Sequence, residues 1–179
     1  MFTTISKLNL ANTYFPQKNN SKSSIEASWP TGYHNITDLY KGADEIIIAD
    51  VVGSGESIND KSVDFTRTNV KVVKSLKNVL KEGQIVPITE TGTVIGESND
   101  LSIDGVPLLR QNMKVILFIK IRQNNTYIIL NDYAGKYFIN SNGAISYSGN
   151  LTAQQHIQMN DIKDGSSIDD FLALIGKIK

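Results

Sequence analysis

The sequence predicts a mainly β fold: an antiparallel OB-like barrel or small sandwich, with a short N-terminal helix and a C-terminal helix. Three observations predict it. Ala43–Gly53 is a β-branched run, and Met113–Arg122 alternates aliphatic and polar residues with period two. Compact turn signals, Asn124-Asn125 and Asn142-Gly143, separate the later strands. The last dozen residues abandon period two for a single helical stripe.

Taken in order, residues 1–28 read as a flexible leader and residues 29–179 as one domain. Pro16–Ser24 is polar and lacks a period. Thr37 is placed to cap a short helix through Asp38–Lys41, ended by Gly42. Strand signals follow over 43–53, 65–76, 84–90, 113–122, 126–130, 136–139 and 144–147. Gly53 to Asp64 is polar and turn-rich. In the second strand Thr66, Thr68, Val70 and Val72 share one face, and Arg67, Asn69 and Lys71 the other. Pro87 lacks a backbone donor, so its strand is expected at an edge or a bulge. Ser167 with Asp170 forms a capping box, after which Ile168, Phe171, Leu172, Ile175 and Ile178 form one face. Successive short strands joined by tight turns imply an antiparallel meander that closes on itself.

Composition excludes several classes. The 179 residues carry 18 Lys+Arg and 18 Asp+Glu, so a dedicated nucleic-acid or acidic-membrane binder, which needs a basic excess, is not expected. The absence of cysteine removes disulfides, thiolate catalysis and Cys-based metal sites. No apolar run reaches the ~18 residues of a membrane span. Met1–Tyr14 lacks the apolar core of a signal peptide. Lysine far outnumbers arginine, and Asn and Ile are abundant, which reads as the bias of an AT-rich bacterial genome.

Several motifs stand in a telling order. They are Ala43-Asp44-Glu45-Ile46; Thr66 with Val70, Val72 and Leu76-Lys77; Ile88-Thr89-Glu90-Thr91-Gly92; Asp104-Gly105-Val106-Pro107; and Leu117-Phe118-Ile119. Their succession over about residues 37–147 resembles a family of uncharacterised extracytoplasmic proteins and lipoproteins of low-GC Gram-positive bacteria. The resemblance implies an OB-like barrel, similar to netrin-like domains without their disulfides, at the cell envelope. It implies no catalytic residue. Asn78 stands where the family pattern has a glycine, and Thr93 replaces a second one.

Candidate sites are few. Asp100, Ser102 and Asp104 with Gly105 have the spacing that begins a calcium loop. Position 12 is Gln111, which cannot chelate, and no helix flanks the run, so a polar strand edge entering a turn competes with a Ca2+ site. Calcium is the one cofactor the sequence raises. Gly53-Ser54-Gly55 lacks the third glycine and the helix of a dinucleotide loop. His34 and His156 are too isolated for zinc. Asp44, Glu45 and Asp50 flank the first strand and read as solvated strand ends. Basic residues outnumber acidic ones over the middle of the chain. Arg67 and Lys71 share one strand face, and Lys114, Phe118, Lys120 and Arg122 another. A basic sheet face with an aromatic is how OB barrels hold single strands or oligosaccharides. Lysines on exposed strands also block edge pairing.

The expectation is therefore a non-catalytic binding or interaction module, extracellular or envelope-associated, whose partner is a protein or a cell-wall polyanion. An intracellular OB-type single-strand nucleic-acid binder using the same six residues is the alternative. A hydrolase with a loop-built site is the third reading.

Overall fold

The computed structural model describes residues 33, 35–60, 63–95, 99–102, 106–131, 134–147 and 162–178. The expected leader, His34, His156 and Asp104 lie outside them. The described elements are α1 (Ile36–Gly42), β1 (Glu45–Val51), β2 (Glu56–Asp60), β3 (Val63–Ser75), β4 (Ile85–Ile95), β5 (Asn99–Ser102), β6 (Lys114–Arg122), β7 (Thr126–Ile129), β8 (Lys136–Ile139), β9 (Ile145–Tyr147) and α2 (Ile168–Ile178).

Five strands close a barrel in the order β1-β3-β4-β7-β6 and back to β1. The expected meander is incorrect in one respect. Ile88 and Thr89 of β4 pair in parallel with Tyr127 and Ile128 of β7, while the other four pairings are antiparallel. This single parallel seam gives the barrel its OB-like path, with β3 and β4 as the second and third strands. Pro87 sits in β4, one residue before that seam begins, so its missing donor interrupts no bond to β7. The turn-rich segment after Gly53 contains a further strand, β2, which forms a hairpin with β3. A polar edge strand has no apolar alternation to betray it. β5 similarly extends the sheet beyond the outer half of β4.

Alternation along the strands produces two cores. Interior positions Ile47, Ala49, Val51, Val70, Val72, Val86, Ile88, Val115, Leu117 and Ile119 fill the barrel. Exterior positions Ile46, Ile48, Ile116, Phe118 and Tyr137 meet Leu39 of α1 and Phe171 and Ile175 of α2 in a second layer. Phe118 is fully buried there, with its ring 6.1 Å from Tyr137 and 6.2 Å from Phe171. The expectation that Phe118 displays its ring beside Lys114, Lys120 and Arg122 is therefore overturned. All four face outward, but the helices roof the middle of β6.

Local chemistry sets the helix ends. Asn35, rather than Thr37, caps α1, its side chain accepting from the Asp38 N–H at 2.9 Å. At the other terminus Lys77 Nζ donates to the Tyr40 and Ala43 carbonyls, and Lys120 Nζ to Gly42 O at 3.1 Å. The Ser167–Asp170 box forms as expected, Asp170 N donating to Ser167 Oγ at 3.1 Å. The segment before α2 also shields the sheet edge at β9, since Ile145 N donates to Ser166 O and Gly165 N to Ile145 O.

Each barrel end is closed by a connection tied to a buried glutamate. At one end Glu45 is fully buried, which corrects its reading as a solvated strand end. Its carboxylate accepts from the N–H groups of Ile46, Lys77, Val79 and Leu80 and from Ser75 Oγ, at 2.6–3.0 Å. The 75–80 loop thereby folds over the barrel mouth, and Leu80 enters the interior. Asn78 in that loop adopts φ +63°, which asparagine tolerates better than most other side chains. Toward the other end Glu90 pairs with Lys136 inside the protein, both side chains almost wholly buried. Glu90 also accepts from Leu109 N at 2.9 Å, and Lys136 donates to Pro107 O at 2.8 Å, so the pair fastens the 106–113 connection.

Burial alone would raise the Glu45 carboxyl, but the hydrogen bonds from Ser75 and the loop N–H groups outweigh it and hold it below the ordinary carboxylate value. The unfolded chain therefore takes up this proton first on acidification. The stabilisation is complete above the unfolded value of about 4.3 and is lost as pH falls through the folded one. The urea midpoint is expected to fall below about pH 4.3, and Glu45→Gln, costing about 3 kcal/mol at pH 7, to flatten that fall. Phe118→Ala is expected to cost about 3–5 kcal/mol in the same assay, as removal of a core ring.

Candidate functional site

α1 and α2 roof the outside of β1, β6 and β8, and among the described residues no element packs over the outer face of β3 and β4. β3 presents Phe65, Arg67, Asn69, Lys71 and Val73 there, and β4 presents Ile85, Pro87, Thr89 and Thr91. Pairing sets them in rows. Asp50, Lys71 and Ile85 lie side by side across β1, β3 and β4. Glu56, Arg67 and Thr89 form another row across β2, β3 and β4. In OB barrels this pair of strands is the one that meets ligands.

The six basic-face candidates do not converge on one surface. Arg67 and Lys71 stand together on the open face, both exposed. Lys114 reaches the same neighbourhood, because Asp50 pairs with Lys71 on one side and Lys114 on the other, with Lys114 Nζ 3.7 Å from the carboxylate. Lys120 lies at the opposite end of β6, 2.8 Å from Asp44. Arg122 lies beyond it, opposite Thr126. Phe118 is in the core. The ring that shares a face with Arg67 and Lys71 is Phe65, half-buried and in the same alternation.

The charge pattern also changes on folding. Residues 43–60 supply Asp44, Glu45, Asp50, Glu56 and Asp60 and no lysine or arginine. Strand pairing inserts this acidic stretch between the basic strands, so Arg67 faces Glu56 and Lys71 and Lys114 face Asp50. The basic excess of the middle of the chain is largely cancelled in three dimensions. Burial would raise the Asp44 carboxyl, but hydrogen bonds from Lys120 and the Ile121 N–H, with the charges of Lys120 and Lys77, hold it low. Burial pulls the Lys77 ammonium down despite the neighbouring Asp44 and Glu45 carboxylates. Lys77 also lies 4.3 Å over the Tyr40 ring, so it belongs to the scaffold.

Three aliphatic residues of this region were not singled out by their sequence context: Val52, Val73 and Ile85, which are 40%, 41% and 58% exposed. Val73 faces outward in the ordinary alternation of β3, and a β-bulge beside it, where Ile48 pairs with Lys74 and Ala49 with Val72, brings Lys74 to the exposed side as well. The doubled Val72-Val73 that breaks the alternation was the available signal. Beside them lies an open depression of about 440 Å³, lined by Asp50, Val51, Val52, Gln111, Asn112 and Met113.

Of the calcium-loop candidates, Asp100 and Ser102 fall on β5, paired with Val94 and Gly92 of β4. Among the described residues no group of three His, Asp or Glu side chains is placed to hold a metal ion, and no helix is long and apolar enough to cross a membrane. No family model, no curated protein and no solved structure matches the chain.

Exposed side chains on the open face leave the fold's energetics untouched. Arg67→Ala and Lys71→Ala are each expected to shift stability by less than about 0.5 kcal/mol in urea denaturation.

Proposed function

We propose that the protein is a non-catalytic binding module of the bacterial cell envelope that holds a protein partner on the open outer face of β3 and β4. The observation that carries this reading is the division of the exterior: helices roof one half of the barrel, and no described element covers the OB ligand face on the other half. A protein partner is favoured over a cell-wall polyanion because the cations of the face stand opposite carboxylates, while aliphatic side chains beside them are exposed. The same compensation weighs against a single-strand nucleic-acid site, which needs uncompensated charge along the backbone path. The envelope location is supported by the succession of motifs from Ala43-Asp44-Glu45-Ile46 to Leu117-Phe118-Ile119.

The test is affinity capture with the immobilised chain from envelope and from cytosolic extracts, alongside Arg67→Glu and Thr89→Lys variants of the open face. Recovery of the same envelope proteins by the parent chain, reduced by the variants, is the expected result. Specific recovery from cytosol alone, or recovery insensitive to both variants, refutes it. Fluorescence anisotropy with oligo-dT at low salt is expected to stay flat.

A further inference from the structure

We propose that the bulge in β3 presents a docking patch for a protein segment carrying aliphatic and acidic side chains together. This rests on the binding-module reading and narrows it to one corner of the open face.

Three features meet at that corner. The first is apolar exposure. Val52, Val73 and Ile85 are three of the five exposed large aliphatic residues among those described, the others being Val63 and Val79. They surround Lys71: Ile85 is its partner on β4, Val73 lies two residues along β3, and Val52 N donates to the carbonyl of Asn69 at 3.0 Å. Exposed aliphatics scattered singly need no explanation, but a group around one lysine does.

The second feature is the bulge. A regular β3 would send Val73 and Lys74 to opposite faces. The extra residue leaves both exposed, and bulges are used to re-aim side chains beside functional surfaces. The third is charge. In the paired rows of this corner Lys71, Lys74 and Lys114 meet one carboxylate, that of Asp50, whereas farther along the face Arg67 is matched one-to-one by Glu56. The corner is both apolar and positive, and it adjoins the depression lined by Asp50, Val51, Val52, Gln111, Asn112 and Met113. Aliphatic side chains of a partner segment meet Val52, Val73 and Ile85, and acidic neighbours in the same segment meet the lysines. Among the described residues that pair at this corner none is aromatic, so it offers no base-stacking platform.

The probes are synthetic peptides in three series, aliphatic with acidic, aliphatic with basic, and acidic with polar residues, titrated by fluorescence anisotropy against the full chain. The aliphatic-acidic series is expected to bind. Val73→Ser and Ile85→Ser are expected to weaken it at least about tenfold, with thermal melts showing that both variants fold. The Lys71→Glu/Lys74→Glu double variant is expected to switch preference to the aliphatic-basic series. Absence of binding by the aliphatic-acidic series, or binding unaffected by Val73→Ser and Ile85→Ser, overturns the proposal. Envelope capture that depends on Arg67 and not on Val73 or Ile85 also overturns it and leaves the binding module intact. A dimer of the chain, dispersed by Val73→Ser in sedimentation, overturns it in favour of self-association.

Discussion

The structure depends on a carboxylate taken out of water. Glu45 begins the first strand of the barrel, and among the described residues no lysine or arginine side chain forms an ion pair with it. It is kept ionised by four backbone N–H groups and one hydroxyl. An anion buried without such donors would be far too costly to retain. All of these donors except the Ile46 N–H come from the single stretch 75–80, so satisfying one group fixes that loop, the mouth of the barrel and the position of Lys77. Lys77 in turn binds the carbonyls at the end of α1. One side chain thus couples the first helix, the first strand and the β3–β4 connection. The Glu90–Lys136 pair performs a related task for the 106–113 connection, but as an ion pair. The two ends are therefore held by different physics.

A second constraint is the interleaving of charge. An acidic stretch without a single cation folds between strands rich in lysine. Two of the resulting neighbours, Asp44 with Lys120 and Asp50 with Lys114, are ion pairs at half-exposed positions worth little individually. Their larger effect is on recognition. They remove the uniform potential that would make the barrel a general polyanion binder, and they leave a small positive remainder where the bulge disturbs the pairing. Specificity for one kind of partner is easier to reach from such a surface than from a uniformly basic one.

Much of the architecture was legible in residue patterns. The alternation of Val115–Ile121, the β-branched run at Ile46–Val52 and the stripe from Ile168 to Ile178 each specify their element, because one face or stripe must leave water. The turns at Asn125 and Gly143 were legible for the reason that both residues adopt positive φ. What was not legible is non-local. The parallel seam between β4 and β7 involves two residues on each side, and no local periodicity encodes a parallel partner. β2 and β5 are polar edge strands without an apolar face. The face of Phe118 was correct, yet only the helices packed over it show that it is interior. Glu45 looked like any acidic residue at a strand end, since its donors are distant in sequence. Of the candidate site, Arg67 and Lys71 were found because alternation reports faces reliably. Val73 and Ile85 were missed because strand alternation reports which face a side chain takes but not whether another element packs over it.

The seam that closes the barrel has a bearing on how the chain reaches its shape. β1 gains its second neighbour, β6, only after some seventy intervening residues, and the last gap shuts when β7 finds β4. Contacts so distant along the chain are made slowly. A polypeptide leaving the ribosome or a translocation pore would hold β1 with one edge bare until the stretch Lys114–Arg122 emerged. The bare edge of an aliphatic strand is a template for the wrong partner. The acidic residues at both ends of β1 give the unfinished molecule a repulsive margin while it waits.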